Sequence, residues 1–319
     1  MSITALLAIG EEVTDVEEES FFLFSQEIVT GNLGFVDSHA TTVDVTIHDH
    51  EYIIHQSPTL LSSSRAGGTT GAVLWKITPP FAEWISSPKN PLWTNSVLSA
   101  ESIVAELGCG ISALLPLTLA PSIQHYIATD QEYVRRFFRT NIDENASVNS
   151  GSSKQKTGKS KGSGSKKKNA SSKTSAASTP STSNITFTTL DWELDQPNSL
   201  KDCIDPGSRQ GMDPEDHGFD LLLSCDCIYN EALVSPFVRT CAEICRLRPV
   251  YNPSDTDEPA RRPTVCIVAQ KQRTPDVFET WLRETLREFR VWRVSDEALG
   301  DALKGGSGYL VHLMLAREK

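Results

Sequence analysis

The stretch Val104-Ala105-Glu106-Leu107-Gly108-Cys109-Gly110-Ile111-Ser112-Ala113 constrains this chain more than any other. An apolar run closes on an acid, a glycine pair follows, and an apolar helical pattern begins. That order is a strand, a tight turn and a helix start. Glycines at the turn let the backbone come within contact distance of a ligand, and a helix N-terminus presents unpaired N–H groups. Glu106 stands directly before the glycines. A carboxylate there suits a ligand with a positive group and suits a pyrophosphate poorly.

The pattern then repeats. Residues 102–107 read as a strand, 111–119 as a helix interrupted or bent at Pro116, 123–129 as a strand ending at Asp130, and 133–141 as a helix. Further on, 185–190, 219–225 and 264–269 read as strands. Residues 233–247 and the segment around Phe278, Trp281, Leu282 and Leu286 read as helices, and 289–294 and 309–315 as closing strands. Seven strands with intervening helices predict an α/β fold with a mostly parallel, Rossmann-like sheet covered on both faces. Only a short helix near 296–303 separates the last two strands, which predicts an antiparallel final strand. This core spans 98–319. Residues 1–97 form an N-terminal extension in which 21–56 read as strands, with 43–47 and 52–55 as a β-hairpin about His48-Asp49-His50. A flexible loop at 65–71 and Ala72-Val73-Leu74-Trp75 precede a helix with Ile77, Phe81, Trp84 and Ile85 on one face. Two turn histidines without further ligands do not make a metal site, and no metal is expected.

Residues 146–184 break the alternation. They carry eight lysines and no acid, with no core-forming run, and are expected to be a disordered insert within the core. The net charge is −11, so removing those eight positive charges leaves −19 on the rest. An acidic body attracts a basic protein and disfavours nonspecific nucleic-acid binding. The lysine-rich insert is either a tolerated surface-loop insertion or a weak contact to ribosomal RNA. Seven cysteines without paired zinc spacing read as reduced buried thiols, which points to the cytoplasm or the nucleus. The first ten residues lack a basic start and run into acids, so no targeting segment is expected. No apolar run approaches the ~20 residues that span a bilayer. A monomer is expected.

Ligands of open α/β sheets bind at the carboxyl ends of the strands, at the topological switch point. The polar residues at those ends make one set: Glu106 with Gly108, Cys109 and Gly110; Asp130, 20 residues past Gly110; Asp191 and Trp192; and Cys225-Asp226-Cys227-Ile228-Tyr229. Asp130 can accept from two ribose hydroxyls, Trp192 can pack on a purine, and Asp191 can accept from its exocyclic amine. Glu106 suits the amino group or sulfonium of S-adenosylmethionine. The glycine pattern also fits a dinucleotide fold, but Glu106 would then face the pyrophosphate, and Asp226-x-x-Tyr229 has no role in that fingerprint. The Gly67-Gly68 loop lacks the Gly-Lys-Ser/Thr of a P-loop. No Asn/Asp-Pro-Pro-aromatic tetrapeptide follows the fourth core strand, which argues against methylation of base amino groups.

These residues resemble the seven-β-strand protein-lysine methyltransferases, in particular the fungal ribosomal lysine N-methyltransferase 5 proteins. The matching stretches are Asn32-Leu33-Gly34-Phe35-Val36-Asp37, Gly71-Ala72-Val73-Leu74-Trp75-Lys76, Glu106 to Gly110, Thr129-Asp130-Gln131, Leu190-Asp191-Trp192-Glu193 and Cys225 to Tyr229. They spread over residues 21–145 and 185–315. The Asp-x-x-Tyr tetrapeptide with the upstream Leu-Trp is the specific part. The resemblance implies the class I S-adenosylmethionine-dependent methyltransferase fold. It implies that Trp75, Gly108, Gly110, Asp130, Trp192 and Cys225 line the cofactor, with Glu106 near its methionine end. Asp226 and Tyr229 would border the channel of the target lysine, Asp226 receiving and orienting the ammonium. The expected substrate is a basic protein, a large-subunit ribosomal protein in particular. The insert at 146–184 is longer and more basic than the family's usual connection. A reading of a different class is a noncatalytic protein that keeps this fold and docks on ribosomal RNA through the insert.

Overall fold

The runs at 103–107 and 221–225, apolar but for Glu106 and Ser224, leave almost no face for water, and both lie at the centre of the sheet. In a computed structural model of the chain, which describes residues 3–28, 32–63, 69–149, 182–253 and 261–318, they form β4 (Ile103–Leu107) and β7 (Leu221–Cys225). The Gly67-Gly68 loop and most of the lysine-rich stretch lie outside the described residues.

The other strands are β1 (Gly10–Val13), β2 (Thr42–Ile47), β3 (His50–His55), β5 (His125–Asp130), β6 (Ile185–Thr189), β8 (Val265–Lys271), β9 (Phe289–Val294) and β10 (Tyr309–Ala316). The main sheet runs β1-β9-β10-β8-β7-β4-β5-β6. β6, β5, β4, β7 and β8 pair in parallel, and β10 is antiparallel to both β8 and β9. Counted from β4, the seven core strands lie in the order third, second, first, fourth, fifth, seventh, sixth. This is the class I S-adenosylmethionine-dependent methyltransferase fold, with the antiparallel last strand that the short 296–303 connection predicts. The helix Pro275–Glu288 buries Phe278, Trp281 and Leu282 against one face. Full burial of each such side chain contributes roughly 1.5–3 kcal/mol.

One strand was not anticipated in the sequence, and two local expectations are corrected. Residues 10–13 form a strand that pairs antiparallel with β9. Its acids hide it in the sequence, but Glu12 binds Arg290 at 2.7 Å and Glu11 binds Arg293, so the acids are cross-strand partners. Residues 21–24 belong to the helix Val16–Phe24 rather than a strand. Asp15 caps it by accepting from the Glu18 N–H at 2.8 Å, and three acids occupy its first turn. The helix after the glycine turn is Leu114–Leu119, so Pro116 lies in its first turn and bends nothing.

The hairpin β2–β3 is present. Ile47 pairs with His50 across a two-residue turn in which His48 (φ 49°) and Asp49 (φ 66°) are both left-handed. The free edge of β3 is closed by side chains from the helix Arg135–Asn149, which runs further than the predicted end at 141. Asn141 accepts from the His55 N–H (2.7 Å) and donates to its carbonyl (2.9 Å), and Asn145 does the same at Ile53 (2.9 and 3.0 Å). Two asparagines thereby replace a missing neighbour strand. Ile47, Ile54, Phe81 and Ile85 share one buried cluster with Val104 and Tyr126, so the extension belongs to the same core.

Candidate active site

The chain leaves β4 towards β5 and β6, and later returns on the other side through β7 and β8. That reversal opens a crevice beyond the carboxyl ends of β4 and β7. A cavity of about 420 Å³ lies there. It is within the range of roughly 300–1,000 Å³ usual for small-molecule sites. Trp75, Glu106, Gly108, Cys109, Gly110, Asp130, Asp191, Trp192, Cys225, Asp226 and Tyr229 all line it. The strand register brings them together, with Glu106 beside Ala128 and Leu223, and Cys225 beside Ala269.

The glycine turn is tied to β5, since the N–H groups of Gly108 and Cys109 both donate to the Thr129 carbonyl. Gly108 has φ 68°, and a Cβ there would stand 2.3 Å from Cys227 Sγ and 3.4 Å from the Trp192 ring. Only glycine meets both demands. The Gly110 N–H donates to Asp130 Oδ2 at 2.8 Å, and the Gln131 N–H donates to Asp130 Oδ1 at 2.6 Å. Each oxygen keeps a lone pair for a further donor. Burial pushes the Asp130 carboxyl up to about 6, and the two N–H bonds oppose that rise. On the far side, the Trp192 ring meets Phe237 edge-on at 5.1 Å, and Arg239 donates to the Trp192 carbonyl. Asp191 accepts from the Glu193 N–H at 2.9 Å and from Gln131 at 3.4 Å.

Glu106 is buried, and the Tyr126 hydroxyl donates to it at 2.8 Å. Burial raises its carboxyl to about 8, opposed by the Tyr126 bond and reinforced by the Asp130 charge. The folded protein therefore holds a proton here that the unfolded chain releases above about 4.5. That contribution to stability is lost as pH rises towards 8. A cationic ligand reverses the preference. Its binding at pH 7 is expected to release a proton and to tighten as pH rises towards the ligand-free value. Titration calorimetry in buffers of differing ionisation enthalpy measures this. Glu106→Gln should abolish the release and weaken binding roughly 10-fold, the scale of one lost charge-assisted hydrogen bond. An unchanged proton count in the variant would contradict the role.

Two aromatic side chains, Trp75 and Tyr229, also line the cavity. The Trp75 indole N–H donates to the Thr70 carbonyl at 3.1 Å, and its ring packs on Phe35 at 4.4 Å. The Thr70 hydroxyl donates to the Tyr229 hydroxyl at 3.1 Å. Burial pushes the Tyr229 phenol above its ordinary value. Here one expectation is corrected. Asp226 borders the cavity, but its carboxylate is already paired with a cation of this chain, with one Oδ2 lone pair left over. It accepts from Arg273 at 2.6 and 2.9 Å through both oxygens and from the Lys271 N–H at 3.0 Å. Thr70, Thr78 and Tyr133 also line the site and were not singled out in the sequence. Gly71, from the matching stretch that ends in Trp75-Lys76, and Cys227, from the strand-end set, line it too.

The cradle fits S-adenosylmethionine. It offers a buried acid for a positive amino group and a strand-end acid for ribose hydroxyls. Its glycine floor is one that a Cβ would fill, and a tryptophan flanks that floor. Among the described residues no group of three or more His, Cys, Asp or Glu is placed to hold a metal. No helix among them is long and apolar enough to cross a membrane.

No protein-family model matches the chain. Ribosomal lysine N-methyltransferase 5 of Candida glabrata is 28% identical over 264 residues, covering 75% of this chain and 71% of that protein. The protein of the same name from Zygosaccharomyces rouxii is 27% identical over 257 residues, covering 77% and 73%. A diaminohydroxyphosphoribosylamino-pyrimidine deaminase of Schizosaccharomyces pombe is 33% identical over 134 residues, which are 42% of this chain and 32% of that protein. Among solved structures, N-methyltransferase NodS from Bradyrhizobium japonicum with S-adenosyl-L-homocysteine covers 72% of this chain and 90% of its own at 11% identity, with a TM-score of 0.34. The fold assignment rests on the strand order and register given above. The chain is similar to the fungal ribosomal lysine N-methyltransferase 5 proteins over most of its length.

Proposed function

We propose that this protein is an S-adenosylmethionine-dependent protein-lysine N-methyltransferase acting on a ribosomal protein, with the large subunit as the expected source. One observation carries the reading. Glu106, the Gly108–Gly110 turn, Asp130 and Trp192, a cradle that fits the cofactor, line one cavity together with Trp75 and Tyr229. The names of the fungal relatives support lysine as the acceptor and the ribosome as its source. The net charge of −11 favours a basic protein over a nucleic acid. A ribosomal target would place the enzyme in the cytoplasm.

S-adenosylmethionine supplies, when bound, a methyl group already activated on a sulfonium. The residues of this chain supply alignment. Glu106 balances the positive amino group, Asp130 holds the ribose, and Trp192 flanks the purine with Asp191 beside it. Tyr229 confines the alkyl chain of the incoming lysine, and Trp75 stands between it and the cofactor. The target amine must arrive neutral, because its lone pair makes the new N–C bond. Its proton goes to water before the channel closes. Neither neighbour takes it, since Asp226 is engaged by Arg273 and the Tyr229 phenol keeps its own proton.

This has a pH consequence. At saturating cofactor, kcat/KM for the protein substrate is expected to rise about tenfold per pH unit from neutrality towards the lysine pKa of ~10.4. A plateau near neutrality in a stopped assay at fixed ionic strength would instead show an enzyme base. The function itself is tested by offering labelled S-adenosylmethionine with separated ribosomal subunits, free ribosomal proteins and ribosomal RNA. Label on one ribosomal protein supports the reading. Label on RNA alone would replace it with a nucleic-acid methyltransferase.

A further inference from the structure

Arg273 follows β8 and stands 47 residues beyond Asp226, outside every motif singled out in the sequence. Its guanidinium forms a two-pronged pair with Asp226, and Nη1 also reaches the Ile228 carbonyl at 3.3 Å. The same group lies 5.9 Å from the centre of the Tyr229 ring and 5.3 Å from that of Trp75. The segment Asp226–Tyr229 thus wraps one cation: a side chain binds it at the first position, a carbonyl at the third and a ring at the fourth. Asp226 is left-handed with φ 61°, a conformation that aspartate adopts more readily than most residues with a Cβ and that its bonds hold here. Those bonds are its N–H to the Ala269 carbonyl at 2.7 Å, the Lys271 N–H at 3.0 Å and the Arg273 fork.

We infer that Arg273 is a positioning residue for methyl transfer: it fixes the Asp226–Tyr229 turn against Trp75 and thereby sets where the target lysine runs. The inference rests on the lysine-methyltransferase reading and deepens it. Arg273 meets neither the cofactor cradle nor the acceptor amine, so its effect passes through Tyr229 and Trp75. The Arg273 guanidinium touches Asp226 and Tyr229 at once. An ammonium of similar charge lacks the planar fork and does not hold both prongs.

The test compares Arg273→Ala, Arg273→Lys and the wild type on the labelled protein substrate, with cofactor affinity measured alongside. Arg273→Ala should lower kcat about 100-fold, the scale of a misplaced acceptor, while cofactor affinity stays within about twofold. Arg273→Lys should fail to recover it, and added guanidinium ion should restore part of kcat in Arg273→Ala. If Arg273→Ala does not fold, Arg273→Lys is read in its place and should show the same kcat loss with intact cofactor binding. Wild-type kcat in Arg273→Lys, or a lowered Tm with unchanged kcat well below it, would overturn the inference and leave the function standing. Absence of protein methylation by the wild type would overturn both.

Discussion

Asp130→Ala is expected to raise the dissociation constant for S-adenosylmethionine about 100-fold, with little change in Tm. The substitution removes the acceptor for two ribose hydroxyls, and bonds to a charged acceptor contribute about 1.5–3 kcal/mol each. It also strips the Gly110 N–H of its partner at 2.8 Å, which loosens the turn under the cofactor. A combined loss near 3 kcal/mol corresponds to about two decades in affinity. Asp130→Asn keeps one oxygen for Gly110 or for a hydroxyl and should fall between the two. Calorimetric or fluorescence titration measures all three proteins. Equal affinity in Asp130→Ala would place the ribose elsewhere and dissolve the cradle as described.

The second large effect is on Asp226. Asp226→Ala leaves Arg273 with a side chain 17% exposed and no carboxylate partner. Breaking a buried pair by removing one member costs roughly 3–5 kcal/mol. Alanine at a left-handed position adds about 1 kcal/mol. Denaturant unfolding should therefore show a loss of about 3 kcal/mol or more, and methyl transfer should fall below detection. Cofactor affinity should change far less, because Asp226 faces the acceptor end. A variant with wild-type stability would mean that the pair with Arg273 is not formed in solution. A variant that loses cofactor binding as strongly as Asp130→Ala would mean that the cavity is not divided as proposed.

That Glu106, Gly108, Gly110 and Asp130 meet at one cavity was legible in the sequence, because all four lie at or just beyond strand ends. Glu106, Gly108, Gly110 and Asp130 sit where an apolar strand must stop, so local pattern alone locates them. Trp192 and Tyr229 were legible for the same reason. What pattern could not supply was pairing across long separations. Arg273 reaches Asp226 over 47 residues, and Asn141 reaches His55 over 86, with no local periodicity to announce either. Asp226 was consequently read as a free carboxylate, when both its oxygens already accept from Arg273 and Oδ1 also from the Lys271 N–H. β1 was hidden for an electrostatic reason: Glu11 and Glu12 look like solvent-facing charge until Arg290 and Arg293 stand beside them. Pro116 was read as a break because helix-breaking applies to helix interiors, and the start of the helix at Leu114 was not fixed by hydropathy.

On the proposed function, this cavity moves a methyl group from S-adenosylmethionine to a lysine side chain. The most direct measurement is tandem mass spectrometry of ribosomal proteins incubated with the purified chain and isotopically labelled cofactor. Wild type and Asp130→Ala should be run side by side. The account predicts labelled methyl on the ε-nitrogen of a lysine in one ribosomal protein, absent with the variant. Cofactor bound tightly in the cradle, with no labelled lysine in any ribosomal protein, would contradict it.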